Sequence, residues 1–367
     1  MITRLAVTPD HLRTLYPGYF ALVMGTEIVS TALWLGAPGW RSISTALWFI
    51  GGVAYLILWV LYVARAWRFP EATRRDLADP ARAFGYFTIT AGSNVLAVRS
   101  LLGGWPAIAM GLGAVGIGMW VVLFYGLFTQ FIVGETVAFT AINGAWLIAV
   151  VAEQSVSTLA SALALYDSLH RELFVLVALV FWALGVVLYL LFIGLILDRL
   201  FFRPVTAEDL TPPYWINMGA TAITVLAAAR LLILPPPPTL LATLHPFVTG
   251  IALVLWAWGS AWIPLLVLLG GWKYLVGRER LAYHPAEWSI VFPLGMYATA
   301  TMTFSQVPGA RLLAPIGHIF IWVGLLAWCL VAGLGVAEWS LRRVRQPAAT
   351  PPQERPRPSP SSHRRAP

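Results

Sequence analysis

Ten runs of mostly apolar residues, most of them long enough to cross a bilayer, constrain this chain more than any other feature. They cover roughly 16–36, 43–63, 83–101, 106–128, 136–165, 173–197, 214–234, 246–270, 286–307 and 312–337. An apolar stretch of about 18 or more residues with few charges is a transmembrane helix candidate. The fold class predicted is therefore an all-α polytopic membrane protein with ten transmembrane helices. Only 11% of the 367 residues are charged, against about 25% in soluble domains. The fifth run is long, which predicts tilt or a break.

The net charge of +8 raises the question of nucleic acid, but the positions of the basic residues predict none. With the N-terminus inside, 19 of the 24 Lys and Arg fall in cytoplasmic segments. The other side keeps Arg41, Arg99, Arg171, Arg230 and Arg311. That bias predicts a multi-pass protein of the cell membrane with both termini cytoplasmic. Loop 129–135, inside in this scheme, carries no basic residue. No short apolar stretch with a cleavage site precedes the first run, so no cleaved leader is predicted. The layout expected is a cytoplasmic N-terminus (1–15), a transport domain (16–340) and a basic, Pro-rich disordered tail (341–367) able to touch anionic lipid. The PPPP at 235–238 reads as a stiff spacer.

The polar residues are not spread evenly. The odd-numbered runs hold 30 Ser, Thr, Asn, Gln, His or charged residues, and the even-numbered runs hold 5. Polar groups are costly in lipid, so the odd helices are expected to form an inner ring around a polar path and the even helices an outer wall. At helical spacing, Phe20, Glu27, Ser30 and Thr31 share a face of the first run. Thr90 and Asn94 do so in the third, Thr140, Asn143, Gln154 and Thr158 in the fifth, and Asn217, Thr221 and Thr224 in the seventh. In the ninth, Phe292, Met296, Thr299 and Thr303 form an aromatic followed by a hydroxyl track, and Pro293 opens that helix. Gly25, Gly92, Gly144, Gly219 and Gly295 lie near these stripes. They serve either close packing or exposure of backbone amides to a permeating ion.

Glu27 and Glu153 lie inside runs, where an ionised side chain costs roughly 2.5–3.5 kcal/mol. Each is a candidate proton-coupling carboxylate, or else is paired or protonated. Arg99 and Arg230, near outer ends, either attract anions to the mouth or snorkel. No metal site, cofactor or enzymatic activity is predicted. The single Cys329 excludes a multi-cysteine site, the six histidines form no evident facing pair, and no Walker loop, HExxH or GxSxG occurs.

Four segments carry a resemblance. They are PGYFALVMG (17–25), DPARAFGYF (79–87), INGAWLIAVV (142–151) and WSIVFPLGMYATAT (288–301). In this order, the chain resembles the tellurite-resistance/C4-dicarboxylate transporter family, which includes the plant slow anion channels. The resemblance covers nearly the whole hydrophobic region and stops near residue 345. It implies five helical hairpins around a central pore, a homotrimer, and Phe292 as the aromatic that occludes the pore. It also implies an anion substrate: chloride, nitrate, sulfite, tellurite, or malate and related C4-dicarboxylates. Where many relatives carry a proline in the fifth span this chain has Ala149, so a bend there is expected at Gly144. The acidic Glu27 and Glu153 leave open a proton-coupled dicarboxylate symporter or exporter.

Overall fold

The computed structural model describes residues 9–134, 137–234, 239–279 and 283–345, and these are helical with no strand among them. The proline spacer and nearly all of the expected tail lie outside the described residues. The last helix, however, continues to Arg345, past the expected start of the tail.

Ten helices of 16 residues or more follow in order: α1 (Ala21–Gly36), α2 (Arg41–Arg68), α3 (Phe87–Leu102), α4 (Pro106–Val133), α5 (Leu147–Tyr166), α6 (Arg171–Phe202), α7 (Ile216–Leu232), α8 (Thr239–Gly271), α9 (Trp288–Phe304) and α10 (Ala314–Arg345). Two lengths alternate. Odd helices have 16 to 20 residues and even helices 28 to 33. Seven helical segments among the described residues are long and apolar enough to cross a membrane. The remaining three, α1, α3 and α9, have only 16 or 17 residues.

The short helices are preceded by irregular backbone instead of more helix. Tight 3₁₀ turns at Ala83–Tyr86, Gly144–Trp146, Pro212–Trp215 and Pro285–Glu287 lead into α3, α5, α7 and α9. Non-helical backbone is tolerated at membrane depth where protein surrounds it. The expected fifth span at 136–165 is corrected here: residues 139–146 are turns, and helix begins at Leu147. The side chain of Asn143 accepts from the Ala145 N–H and so caps the turn at 144. Between α3 and α4, and between α9 and α10, Gly104 and Gly309 have φ of +86° and +89°, which only glycine adopts without strain.

Packing follows the same alternation. Each odd helix packs on the next even helix, giving the pairs α1–α2, α3–α4, α5–α6, α7–α8 and α9–α10. The odd helices also pack on one another in sequence, and α9 returns to α1, so they close a ring. Every residue of the apolar window in Gly144–Tyr166 is buried (100%), and 89% of that in Pro212–Leu232, against 17% in Arg311–Ser340. Even helices therefore present large apolar side chains outward, such as Val60, Val122 and Leu326.

Two charged clusters fasten the loops where the chain returns toward the ring. Arg65, at the end of α2 and 3% exposed, donates to Asp76 at 2.6 Å, and Arg82 donates to the other Asp76 oxygen at 2.8 Å. Arg65 also bonds the Tyr86 hydroxyl and the Arg13 carbonyl. The second cluster repeats the plan one pair of hairpins later: Arg199 at the end of α6 bonds Asp209 at 2.7 Å and the Tyr214 hydroxyl at 2.8 Å.

Candidate functional site

The ring of odd helices encloses a small void, about 10 Å³. That is room for about one water. All five inner helices line it: Ile28 and Thr31 from α1, Asn94, Val95 and Val98 from α3, Ser155 and Thr158 from α5, Ile223, Leu226 and Arg230 from α7, and Met296 from α9. Phe292, 1% exposed, stands one turn before Met296. Its ring and Pro293 lie over Gly219 of α7, where an added Cβ would come within 2.9 Å of Pro293 and 3.3 Å of Phe292. Gly219 is in turn one helical turn before Ile223. The Phe292–Gly219 layer therefore sits immediately below the void.

Of the residues that the sequence singled out, Thr31, Asn94, Thr158, Arg230 and Met296 reach this void. Several others turn outward, each toward an even helix. The carboxyl of Glu27, fully buried, fills a notch at Gly51 of α2. Asn94 reaches both ways, toward Ser155 of α5 and the notch at Gly116 of α4. Gln154 fills the notch at Gly185 of α6 and donates to the Trp182 carbonyl at 3.0 Å. Thr221 fills the notch at Gly259 of α8. Asn217 accepts from the Tyr189 hydroxyl of α6 at 2.9 Å.

The remaining predicted residues are placed as follows. The Phe20 ring meets Tyr55, Trp59 and Tyr62 of α2 edge-on. Thr90 is fully buried, and its hydroxyl has no partner among the described residues. Thr299 and Thr303 donate to the carbonyls of Gly295 and Thr299 in their own helix. Thr140 is exposed in the turn at 139–141, away from the helical face expected for it, because α5 starts only at Leu147. Gly144 allows close approach of two lead-in turns, since a Cβ there would strike the Pro213 carbonyl and the Tyr214 nitrogen.

The charged groups also differ from expectation. Arg99 does not snorkel. It is 2% exposed, donates from Nε to Ser30 at 2.8 Å and from Nη2 to Ser44 at 3.1 Å, and lies 4.2 Å over the Trp34 ring. Both Glu27 oxygens and Glu153 Oε2 are buried with no hydrogen-bond partner among the described residues. Glu153 stands beside the Trp120 indole of α4. Sequence reasoning did not single out Ile28, Val95, Val98, Ile223 or Leu226 as lining, because apolar residues carry no signal in a count of polar ones.

An all-helical chain with buried polar groups concentrated on an inner ring, apolar groups on the outside and seven candidate membrane spans among the described residues is a membrane protein with several apolar helices. The chain belongs to the family described as SLAC1, voltage-dependent anion channel, which residues 14–336 match. It is 40% identical over 143 residues to an uncharacterized membrane protein of Mycobacterium tuberculosis, covering 39% of this chain and 72% of that one. It is 23% identical over 331 residues to an uncharacterized transporter of Methanocaldococcus jannaschii, with 88% and 92% covered. With the sulfite efflux pump of Arthroderma otae it shares 24% identity over 345 residues, with 88% and 90% covered.

Proposed function

We propose that this protein moves small anions across the cell membrane along the axis of its inner ring, and that Phe292, backed by Pro293, closes that path. The observation that carries this reading is the void lined by all five inner helices directly above the Phe292–Gly219 layer. A path for ions needs weak, largely neutral coordination, because strong binding would trap the ion. The void offers hydroxyl, amide and apolar groups, with one cation. In this reading the ten helices cross the membrane as five hairpins, with odd helices inside and even helices against lipid. Three chains assemble as a homotrimer, each with its own path, and both termini are cytoplasmic. The similarity to a sulfite efflux pump favours compact inorganic anions such as sulfite, chloride or nitrate, with tellurite and C4-dicarboxylates as further candidates.

The test is anion flux into proteoliposomes, wild type against Phe292→Ala, with chloride, nitrate, sulfite and malate. The expected result is higher flux in the variant. Unchanged or lower flux in a well-folded variant sinks the gating role.

A second reading, a proton-coupled C4-dicarboxylate symporter or exporter, is favoured by the buried, unpartnered oxygens of Glu27 and Glu153. It predicts malate flux that requires a pH gradient and loses that requirement in Glu27→Gln or Glu153→Gln. Flux indifferent to the gradient in the wild type removes it.

A further inference from the structure

The void above Phe292 has a donor problem. An anion needs N–H or O–H groups turned toward it, and each hydroxyl has a single proton to give. Thr31 donates to the Glu27 carbonyl, Ser155 to the Ala152 carbonyl and Thr158 to the Gln154 carbonyl, each in its own helix. Asn94 commits one amide N–H to Ser155. The hydroxyls thus turn lone pairs toward the void, and lone pairs repel an anion.

Beside the second amide N–H of Asn94, Arg230 is the exception, and it alone carries charge. Its guanidinium carries five N–H donors in a planar fork. Its Nε is buried without a partner, and among the described residues Arg230 makes no hydrogen bond or ion pair. Arg230 as a whole is half-buried, and the three arginines that are buried outright are committed: Arg65 to Asp76, Arg199 to Asp209, and Arg99 to Ser30 and Ser44. A buried donor on a charged group is costly while unmatched.

The geometry points to Arg230 as the anion-binding group of this void, holding one compact inorganic anion on the Met296 side of Phe292. This rests on the proposed anion transport and names the site at which the anion pauses. The void has room for about one water. A chloride ion is close to that size, whereas a three-oxygen anion needs the lining to part and a four-carbon diacid does not fit in this conformation. Guanidinium suits either kind, since two N–H groups of its fork can converge on one chloride or pair with two oxygens of an oxyanion.

The test uses the full chain, with two readouts. The first is the half-saturating concentration for chloride, nitrate and sulfite flux in proteoliposomes. The second is the rise of the thermal unfolding midpoint in detergent with each anion at constant ionic strength, which reports binding without transport. Arg230→Gln is expected to raise the half-saturating concentration roughly tenfold or more and to abolish the anion-dependent rise. Arg230→Lys, which keeps the charge and loses the fork, is expected to fall between. A folded Arg230→Gln with wild-type values in both readouts overturns the assignment and leaves anion transport standing. A wild type that moves none of the anions overturns the transport reading instead, and the midpoint shift still decides the site. Should Arg230→Gln not assemble, Val98→Asp sets a carboxylate in the same lining. An anion-dependent rise that survives this substitution also overturns the assignment.

Discussion

The carboxyl of Glu27 fills the space that a side chain at Gly51 would need, and neither carboxyl oxygen has a hydrogen-bond partner among the described residues. An ionised carboxylate in such a place is far costlier than a neutral group of the same shape. Glu27→Gln should therefore fold, with stability within about 1 kcal/mol of the wild type or above it. Glu27→Ala, which empties the notch, should be clearly less stable. Thermal unfolding of the purified variants in detergent checks both. A large loss in the Gln variant would mean that the carboxyl has a partner in the membrane.

Gly144→Ala pushes a methyl group into the backbone of Pro213 and Tyr214. Backbone cannot swing away as a side-chain tip can, so the lead-in turns of α5 and α7 must separate. The expected loss is about 1–3 kcal/mol, read as a lower unfolding midpoint. Gly118→Ala, at an open position, is the control and should change little.

Asp76→Ala leaves Arg65, 3% exposed, without its counter-charge. Breaking a buried pair in this way costs about 3–5 kcal/mol. Because Arg65 keeps the Tyr86 hydroxyl and the Arg13 carbonyl, the low end of that range is expected in denaturant titration. The Arg82 arm of the cluster is 40% exposed, so Arg82→Ala should cost no more than about 1 kcal/mol.

His284 precedes α9, and its Nδ1 accepts the Ala286 N–H at 3.1 Å, with the Tyr16 ring 5.2 Å away. Burial, and then the Arg82 guanidinium, hold its imidazole below the usual 6.5. A group with a depressed folded pKa contributes stability that is present above the unfolded pKa and is lost as pH falls through the folded one. Protonation also removes the lone pair that caps the turn. Between pH 7.5 and 5 the wild type should lose more of its unfolding midpoint than His284→Asn, which keeps a capping acceptor and does not titrate. Equal losses would show that this group does not set the dependence.

The helical membrane class, and the division into buried odd and exposed even helices, were legible in the sequence because desolvation sorts polar residues strongly. The direction in which each polar residue points was not. A helical period gives a face of a helix but not the neighbour that the face meets, so Gln154 and Thr221 looked like lining although each reaches an outer helix. The notches lie on the partner, at Gly51, Gly116, Gly185 and Gly259. The outer helices carry other glycines too, such as Gly52, Gly111 and Gly118, which face open space, so the sequence does not say which glycine is a notch. Arg99 looked free because the serines that hold it, Ser30 and Ser44, are far away in the chain. The fifth span looked too long because apolar residues 137–142 continue the run through what are turns.

The glycine notches also have a mechanical side. Four inner helices are pegged outward, with a polar side chain of α1, α3, α5 and α7 seated in a notch of its own outer partner. α9 differs. Gly324 of α10 lies against the Gly295 backbone, and the α9 hydroxyls reach sideways to α8, Tyr297 to Ser260 and Thr301 to Trp256. Among the described residues no side-chain hydrogen bond ties α9 to α10. The helix that carries Phe292 is thus keyed to its outer partner by an apolar peg, Met302 seated at Gly317 of α10, where the other four pairs use polar ones, so its seat there sets no hydrogen-bond register.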